Sequence, residues 1–185
     1  MMRFLETLGR GLVELCYPRH CQLCGSRDCE ETTPFICVQC VDKVAYTRDP
    51  VCPQCGLPFD GEAGDFACPH CRGIDWSFER AASAVRLHGV AREILHRFKY
   101  QRQIFWRVLI GRWVCEAAAR LDESGIDAIV PVPLHPRRER EREFNQAALL
   151  AQDLGRSTGW PVLGRELRRI RDTSTQTRLD RGERG

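Results

Sequence analysis

The sequence has 185 residues, of which 43% are hydrophobic and 29% are charged, and its formal net charge at pH 7 is +3. This balance can support a hydrophobic core, and it excludes a disordered chain and an integral membrane protein. The mild charge gives no strong electrostatic signature of nucleic-acid binding. No run approaches the roughly 18 uninterrupted apolar residues that a membrane helix needs, so we expect a cytoplasmic protein without membrane insertion.

The first 18 residues predict an amphipathic lead-in helix. Apolar residues recur there at helical spacing. Glu6, Arg10 and Glu14 interrupt the apolar run that a signal peptide requires. We therefore assign residues 1–18 to a lead-in helix rather than to an export signal.

The cysteines are the most informative feature, because ten of the eleven lie in the first 71 residues. Eight of them form two copies of one layout: a C-x-x-C pair, twelve residues, and a second C-x-x-C pair. The second copy follows the first at a constant offset of 31 residues, which indicates an internal duplication. A glycine follows the first pair of each copy, where a tight turn favours positive φ. The copies are Cys21, Cys24, Cys37 and Cys40, and Cys52, Cys55, Cys68 and Cys71.

Each copy predicts a four-cysteine metal site. Two residues between paired cysteines let both thiolates face one tetrahedral ion, and soft sulfur ligands favour zinc. Iron, or a redox or degenerate motif, are the alternatives. A closed four-thiolate site leaves no position open for catalysis, so we expect two structural Zn²⁺ sites that fold a segment too short for its own core. Residues 19–75 are therefore predicted to form a double zinc ribbon, with Cys16 and Cys29 as spare thiols.

Residues 78–185 predict an α/β domain, because the cysteines give way to periodic apolar residues. A short strand is predicted at 80–87, followed by helices at about 90–98 and 104–121, the second of which carries Cys115 as a small apolar residue. Further short strands are expected after Gly155. The alternation of strands and helices indicates a mostly parallel sheet.

The run IDAIVPVPLHP at 126–136 predicts a buried parallel strand that breaks at its prolines. Ligands bind beyond the carboxyl ends of such strands, so a loop at 131–146 is the expected edge of a site. Its stretch RRERERE at 137–143 has two interpretations. Either the arginines hold phosphate or pyrophosphate through charge-assisted forks, or the glutamates satisfy them in a solvated surface. Asn145 is predicted to cap a helix through 147–154.

Four motifs, taken in order, carry a resemblance to a known family. They are the duplicated cysteine module, ILHRFKYQ at 94–101, VPVPLHPRREREREFNQAALLA at 130–151, and TSTQTRLDRGER at 173–184. In this order they resemble the ComF family of competence proteins, which are predicted phosphoribosyltransferases with an N-terminal double zinc ribbon. The resemblance runs from about residue 15 to the last residue. Glu143 departs from it, because the family usually has glycine at that position.

The resemblance implies a phosphoribosyltransferase-type, Rossmann-like domain. It also implies a glycosyltransferase reaction, in which a nitrogen nucleophile displaces pyrophosphate from phosphoribosyl pyrophosphate, although no catalytic residue is identifiable. The substrate-binding residues that it implies are Lys99, on a mobile flap, and Arg137, Arg138, Arg142, Asn145 and Gln146.

The family's acidic strand and T-T-G-x-T phosphate loop are absent from this sequence, which ends just after the last motif. We therefore interpret the chain as a C-terminally truncated family member, and we expect residues 1–185 alone to be inactive as a transferase. Mg²⁺ is expected only where the phosphate loop is present.

Two other hypotheses stay open. In one, the chain is a non-enzymatic module whose zinc ribbons bind single-stranded DNA or a protein of the competence machinery. In the other, it is a gene fragment whose incomplete sheet has an exposed edge and aggregates. The expected partners are therefore phosphoribosyl pyrophosphate, single-stranded DNA or competence proteins.

Overall fold

The computed structural model describes residues 19–60, 68–121 and 125–172. Its helices, in chain order, are α1 (Val38–Val41), α2 (Gly89–Tyr100), α3 (Arg107–Ala118), α4 (Pro136–Arg142) and α5 (Gln146–Thr158), and a 3₁₀ turn at Ile104–Trp106 leads into α3. Short turns and isolated β-bridges connect these helices. The predicted lead-in helix and the last family motif lie outside the described residues.

Helix α2 packs its apolar side into the centre of the molecule. Ala91, Ile94 and Phe98 lie three or four residues apart, so they share one helical face, and all three are buried. Trp106, in the turn after α2, is fully buried, and Trp113 on α3 is 6% exposed. Both tryptophans are therefore packing groups of the core.

The first cysteine copy belongs to the same core as these helices. Cys21, Ile36 and Cys37 form one buried cluster with residues of α2 and α3. The ring of Phe35 lies edge-on to Trp106, with 5.5 Å between centroids. The core therefore spans the change in composition along the chain, and the domain boundaries inferred from that change stay predictions.

Helices α3 and α5 pack against each other around an ion pair. Arg107 on α3 donates to both carboxylate oxygens of Asp153 on α5, at 2.5 and 2.8 Å. Burial alone raises the pKa of Asp153, but hydrogen bonds from Arg107 and Arg156 outweigh it, so that the pKa is lowered overall. A Cβ at Gly111 would lie 3.6 Å from the Asp153 carboxylate, an ordinary van der Waals contact, so the close approach of the two helices does not depend on this glycine.

Chain segments on either side of α5 pair in parallel. Ile129 donates to the carbonyl of Pro161 at 2.8 Å and accepts from Leu163 at 2.9 Å, which makes a parallel bridge with Val162. A parallel pairing across a helix is the β-α-β arrangement. The described residues contain isolated bridges but no longer strand, so the predicted parallel sheet is not confirmed.

Several local predictions change. The predicted strand at 80–87 is present only as an antiparallel bridge between Val85 and Tyr46. The predicted loop at 131–146 contains helix α4, with Pro136 at its start and His135 as its N-cap. Proline suits the first turn of a helix because its missing N–H needs no partner there. The sequence pattern predicted only that these prolines end a strand.

Among the described residues, no helix is both long and apolar enough to cross a membrane.

Candidate functional site

The first C-x-x-C pair of each copy folds as the same tight turn. Gly25 donates its N–H to the carbonyl of Cys21 at 2.8 Å, and Gly56 donates to Cys52 at 2.9 Å. These glycines have φ values of 78° and 68°. The left-handed backbone explains why glycine follows the pair in both copies.

The second pair of each copy also repeats its backbone geometry. Cys40 donates its N–H to the carbonyl of Cys37 at 3.0 Å, and Cys71 donates to Cys68 at 3.1 Å. In the first copy this turn continues into α1. The duplication found in the sequence is thus also a duplication of local structure.

These turns bring the predicted metal ligands together in two groups of four. Within each group all sulfur atoms lie within 4.8 Å of one another. The Sγ atoms of Cys24 and Cys37 are 3.5 Å apart, and the two measured separations in the second group are 3.6 and 3.9 Å. Four sulfurs bound to one Zn²⁺ at about 2.3 Å would lie about 3.8 Å apart. Both groups therefore fit a tetrahedral zinc ion, which would act as a structural cross-link.

The turns also lower the pKa of one cysteine in each site, which favours its thiolate form. Burial raises the pKa of Cys21, but backbone N–H groups of Cys37, Cys24 and Leu23 donate to its sulfur and lower the pKa to about 6. The equivalent Cys52 has a pKa of about 7 for the same reason. Burial and the neighbouring thiols raise the pKa of Cys37, Cys40 and Cys55, and they raise that of Cys71 to about 12. Zinc binding therefore releases protons, and affinity rises with pH.

The other two cysteines that the structure describes, Cys29 and Cys115, belong to neither group of four. Cys29 lies opposite Cys37 in an antiparallel bridge, outside the group of four, and burial raises its pKa. Cys115 is half-buried on α3, in keeping with its predicted packing role. Cys16 lies outside the described residues.

A second arrangement joins the end of α2 to the start of α5, and we call it the cationic cluster: Lys99, Arg142, Asn145 and Gln146. Gln146 is 5% exposed; its Nε2 donates to the Lys99 carbonyl at 3.4 Å, and its Oε1 accepts from Arg142 at 3.2 Å. Asn145 caps α5 by accepting from the N–H groups of Ala147 and Ala148. Four of the predicted substrate residues therefore lie together.

Lys99 and Arg142 place two positive charges in this cluster. Burial lowers the pKa of Lys99, and the charge of Arg142 lowers it further. Neither side chain has an ion pair with a carboxylate in the parts of the chain that the structure describes. The N-terminus of α5 adds the positive end of a helix dipole. Such a site is suited to bind an anion.

The other two predicted substrate residues lie elsewhere on α4. Arg137 is 67% exposed and pairs with Glu141 at 3.2 Å and Asp172 at 3.3 Å. Arg138 is half-buried on the same helix. Arg137 thus follows one of the two interpretations of this stretch, in which glutamates pair with the arginines.

The structure places Lys99 in the last turn of α2, within a helix.

Sequence reasoning missed Tyr100 and Arg102. The guanidinium of Arg142 lies 5.0 Å from the centroid of the Tyr100 ring, a cation–π contact that orients it. Arg102 pairs with Glu143 at 2.6 Å, and both residues have positive φ. Glu143 thus adopts a left-handed backbone that favours glycine, the residue that the family resemblance implies at this position. Tyr100 directly follows Lys99 in the sequence, and this adjacency could have indicated that Tyr100 belongs to the cluster.

The chain is similar to known proteins both at its N-terminal ribbon and over most of its length. The family model of the double zinc ribbon domain matches residues 12–72. The chain is 27% identical over 165 residues to competence protein F of Haemophilus influenzae, covering 81% of this chain and 72% of that protein. It is 30% identical over 148 residues to the DNA utilization protein YhgH of Salmonella typhi, covering 78% and 64%.

A further relative is competence protein ComFC of Bacillus subtilis, which is 28% identical over 162 residues, covering 77% of this chain and 65% of that protein. The chain thus spans just under two thirds of the YhgH and ComFC relatives. The search of solved structures found no match. These similarities bear out the resemblance to the ComF family, and the family model together with the two four-cysteine groups assigns a double zinc ribbon to the N-terminal end of the chain.

Proposed function

We propose that this protein is a ComF-like component of DNA uptake or utilisation, whose α/β half binds a phosphorylated ligand at the cationic cluster. The printed names of its relatives, competence protein and DNA utilization protein, support the biological role. The cluster supports the chemistry, because Arg142 contacts the first residue of α5 and its charge is felt by Lys99, and neither side chain has a carboxylate partner among the described residues.

The position of the cluster agrees with phosphoribosyltransferase-type architecture. Asn145 follows the segment that pairs at Ile129, and its Nδ2 donates to the carbonyl of Val132 at 3.3 Å. In α/β folds ligands bind beyond the carboxyl ends of parallel strands, next to helix N-termini. The expected ligand is phosphoribosyl pyrophosphate. The reaction that the resemblance implies, displacement of pyrophosphate by a nitrogen nucleophile, is expected only where the phosphate loop is also present, and residues 1–185 alone are expected to bind without turnover.

Calorimetric titration of the zinc-loaded chain with pyrophosphate tests the anion site. We expect saturable binding that weakens with added salt, and at least a tenfold loss of affinity in Arg142→Ala, because a charge-assisted contact contributes about 1.5–3 kcal/mol. Arg92→Ala removes an exposed arginine from α2 outside the cluster and should leave binding unchanged. Absence of binding, or an equal loss in both variants, contradicts the proposal.

A second candidate function is single-stranded DNA binding by the second ribbon, and one groove favours it. Trp76 and Phe78, with ring centroids 5.0 Å apart, line a groove of about 490 Å³ together with Leu87. Its described lining includes the basic side chains of Arg86 and His70 and, among those described residues, no carboxylate. Aromatic rings beside basic groups suit stacked bases and a phosphate backbone.

Fluorescence anisotropy with a labelled oligothymidylate tests this candidate. We expect salt-dependent binding that Phe78→Ala weakens about tenfold, since stacking contributes about 1–3 kcal/mol per base. Ile104→Ala, which removes an exposed apolar side chain elsewhere, is the control. No binding at low salt would leave a protein of the competence machinery as the expected partner of the ribbons.

A further inference from the structure

Four apolar side chains lie together where the first ribbon meets the start of α3, and we call them the α3 patch: Phe35, Ile104, Phe105 and Val108. The rings of Phe35 and Phe105 are in contact, with 5.2 Å between centroids, and both are half-buried. Val108 lies three residues after Phe105 and four after Ile104, the separations at which helical side chains are neighbours. Ile104 is 47% exposed and Val108 is 49% exposed. Contiguous apolar surface of this kind marks a place where another segment or molecule binds.

The first described residues of the chain lie beside this patch. Gln22 donates its N–H to the carbonyl of Phe35 at 2.9 Å. Arg19 precedes Gln22 by three residues, which span at most about 11 Å of chain. The segment that precedes Arg19 is therefore attached within reach of the α3 patch.

That segment, residues 1–18, has the apolar pattern that the patch requires. Phe4, Leu8, Leu12 and Leu15 recur at helical spacing, which would place them on one side of a helix. A helix of 18 residues is about 27 Å long, whereas the four steps from Ile104 to Val108 cover only about 6–8 Å. The apolar side of such a helix is therefore long enough to cover the patch.

Two observations favour this segment over a second copy of the chain as the occupant. The double zinc ribbon model matches residues 12–72, so Leu12 and Leu15 belong to the same family unit as Phe35 of the patch. The segment is also covalently attached, which gives it an effective concentration of the order of millimolar beside the patch. A second copy would need a comparable free concentration to compete.

We propose that residues 1–18 bind the α3 patch, with Leu8, Leu12 and Leu15 against Ile104 and Val108. The segment then connects the first zinc site to the turn between α2 and α3, which follows Lys99 and Tyr100 directly in the chain. This inference goes beyond the anion site and does not depend on it, because the α3 patch contains no residue of the cationic cluster.

The experiment measures methyl exposure by NMR in the full, zinc-loaded chain with isoleucine methyl labels. The probe is a soluble, uncharged gadolinium chelate, which speeds the relaxation of methyl protons that solvent reaches. Ile94 is 0% exposed and Ile170 is 86% exposed, so their methyl groups are the protected and the exposed reference. Replacing each isoleucine in turn by valine, as in Ile104→Val, assigns the three signals.

We expect the chelate to relax the Ile104 methyl several-fold more slowly than the Ile170 methyl in the unaltered chain. Leu8→Ser and Leu12→Ser should bring Ile104 towards the exposed reference, because they remove apolar contacts from the patch. Arg10→Ser, between them on the opposite side of the predicted helix, is the matched control and should leave Ile104 protected. Continued protection of Ile94 shows that each variant is folded.

Three results would overturn the proposal. The first is an Ile104 methyl that relaxes as fast as Ile170 in the unaltered chain, a comparison that needs no destabilising variant. The second is an equal response of Ile104 to Leu8→Ser, Leu12→Ser and Arg10→Ser. The third is protection that disappears on dilution, which would mean that a second copy of the chain covers the patch.

Discussion

The two zinc ribbons share their cysteine spacing and backbone hydrogen bonds, yet the structure surrounds them differently. Cys21, Cys37 and Cys40 of the first site belong to one buried cluster with α2 and α3. No cysteine of the second site belongs to that cluster, within the described residues. The second ribbon instead contacts the segment from Arg80 to Val85. The first copy is therefore part of the helical core, and the second is an appended module.

One matched pair of contacts shows how the difference arises. Arg97 on α2 donates to the carbonyl of Gln22 at 2.6 Å, and Arg80 donates to the carbonyl of Pro53 at 3.2 Å. Both acceptors follow the first cysteine of their copy. Arg97 is 23% exposed, whereas Arg80 is exposed. Duplication therefore repeated the local structure, and the chain outside the repeat determined how firmly each copy is held.

The largest effect is expected when one equivalent cysteine is replaced in each site. Cys37→Ser should lose the first zinc and most helical circular dichroism at 222 nm, because zinc binding contributes about 10–16 kcal/mol, comparable to the stability of a whole domain. Cys68→Ser should lose one zinc and keep most of the helical signal. Zinc content is measured in parallel. Equal helix loss in both variants would show that the second ribbon is also part of the core.

A smaller effect is expected at the glycine after the first cysteine pair of each copy, where the second ribbon has the closer neighbouring atom. Gly25→Ala and Gly56→Ala both force a side chain into the left-handed region, at about 1–2 kcal/mol each. A Cβ at Gly56 would also lie 2.7 Å from the carbonyl oxygen of Ala81, whereas nothing lies within 4 Å at Gly25. Gly56→Ala should therefore have the lower urea midpoint. The reverse order would mean that the Ala81 segment moves aside freely.

The smallest effect separates the two arginine contacts. Arg97→Ala should lower the free energy of unfolding by about 1–2 kcal/mol, because the side chain is largely buried and donates to a ribbon carbonyl. Arg80→Ala should change it by less than about 0.5 kcal/mol, as expected for an exposed contact. Chemical denaturation of both variants measures the difference. Similar losses would remove the distinction between a core ribbon and an appended one.

The cysteine spacing by itself determined the two metal sites, because a C-x-x-C turn is local and its glycine is required by the backbone. The periodic spacing of apolar residues likewise predicted helices α2, α3 and α5, and these residues contribute to the buried faces of the helices. Strands were harder to predict, because a strand depends on a neighbour elsewhere in the chain. The predicted strand at 80–87 forms only one bridge for this reason.

Only the tertiary structure decided which residues beyond the cysteines act together. Lys99 and Gln146 are 47 positions apart in the chain, and their contact follows from the packing of α2 against the start of α5. A cavity between α1 and α3 is likewise lined by segments far apart in sequence. The spacing of residues along the chain determines local features, such as the metal-binding turns and the helices. Which distant surfaces meet, and so which ribbon is buried, depends on the apolar faces that the helices present to each other.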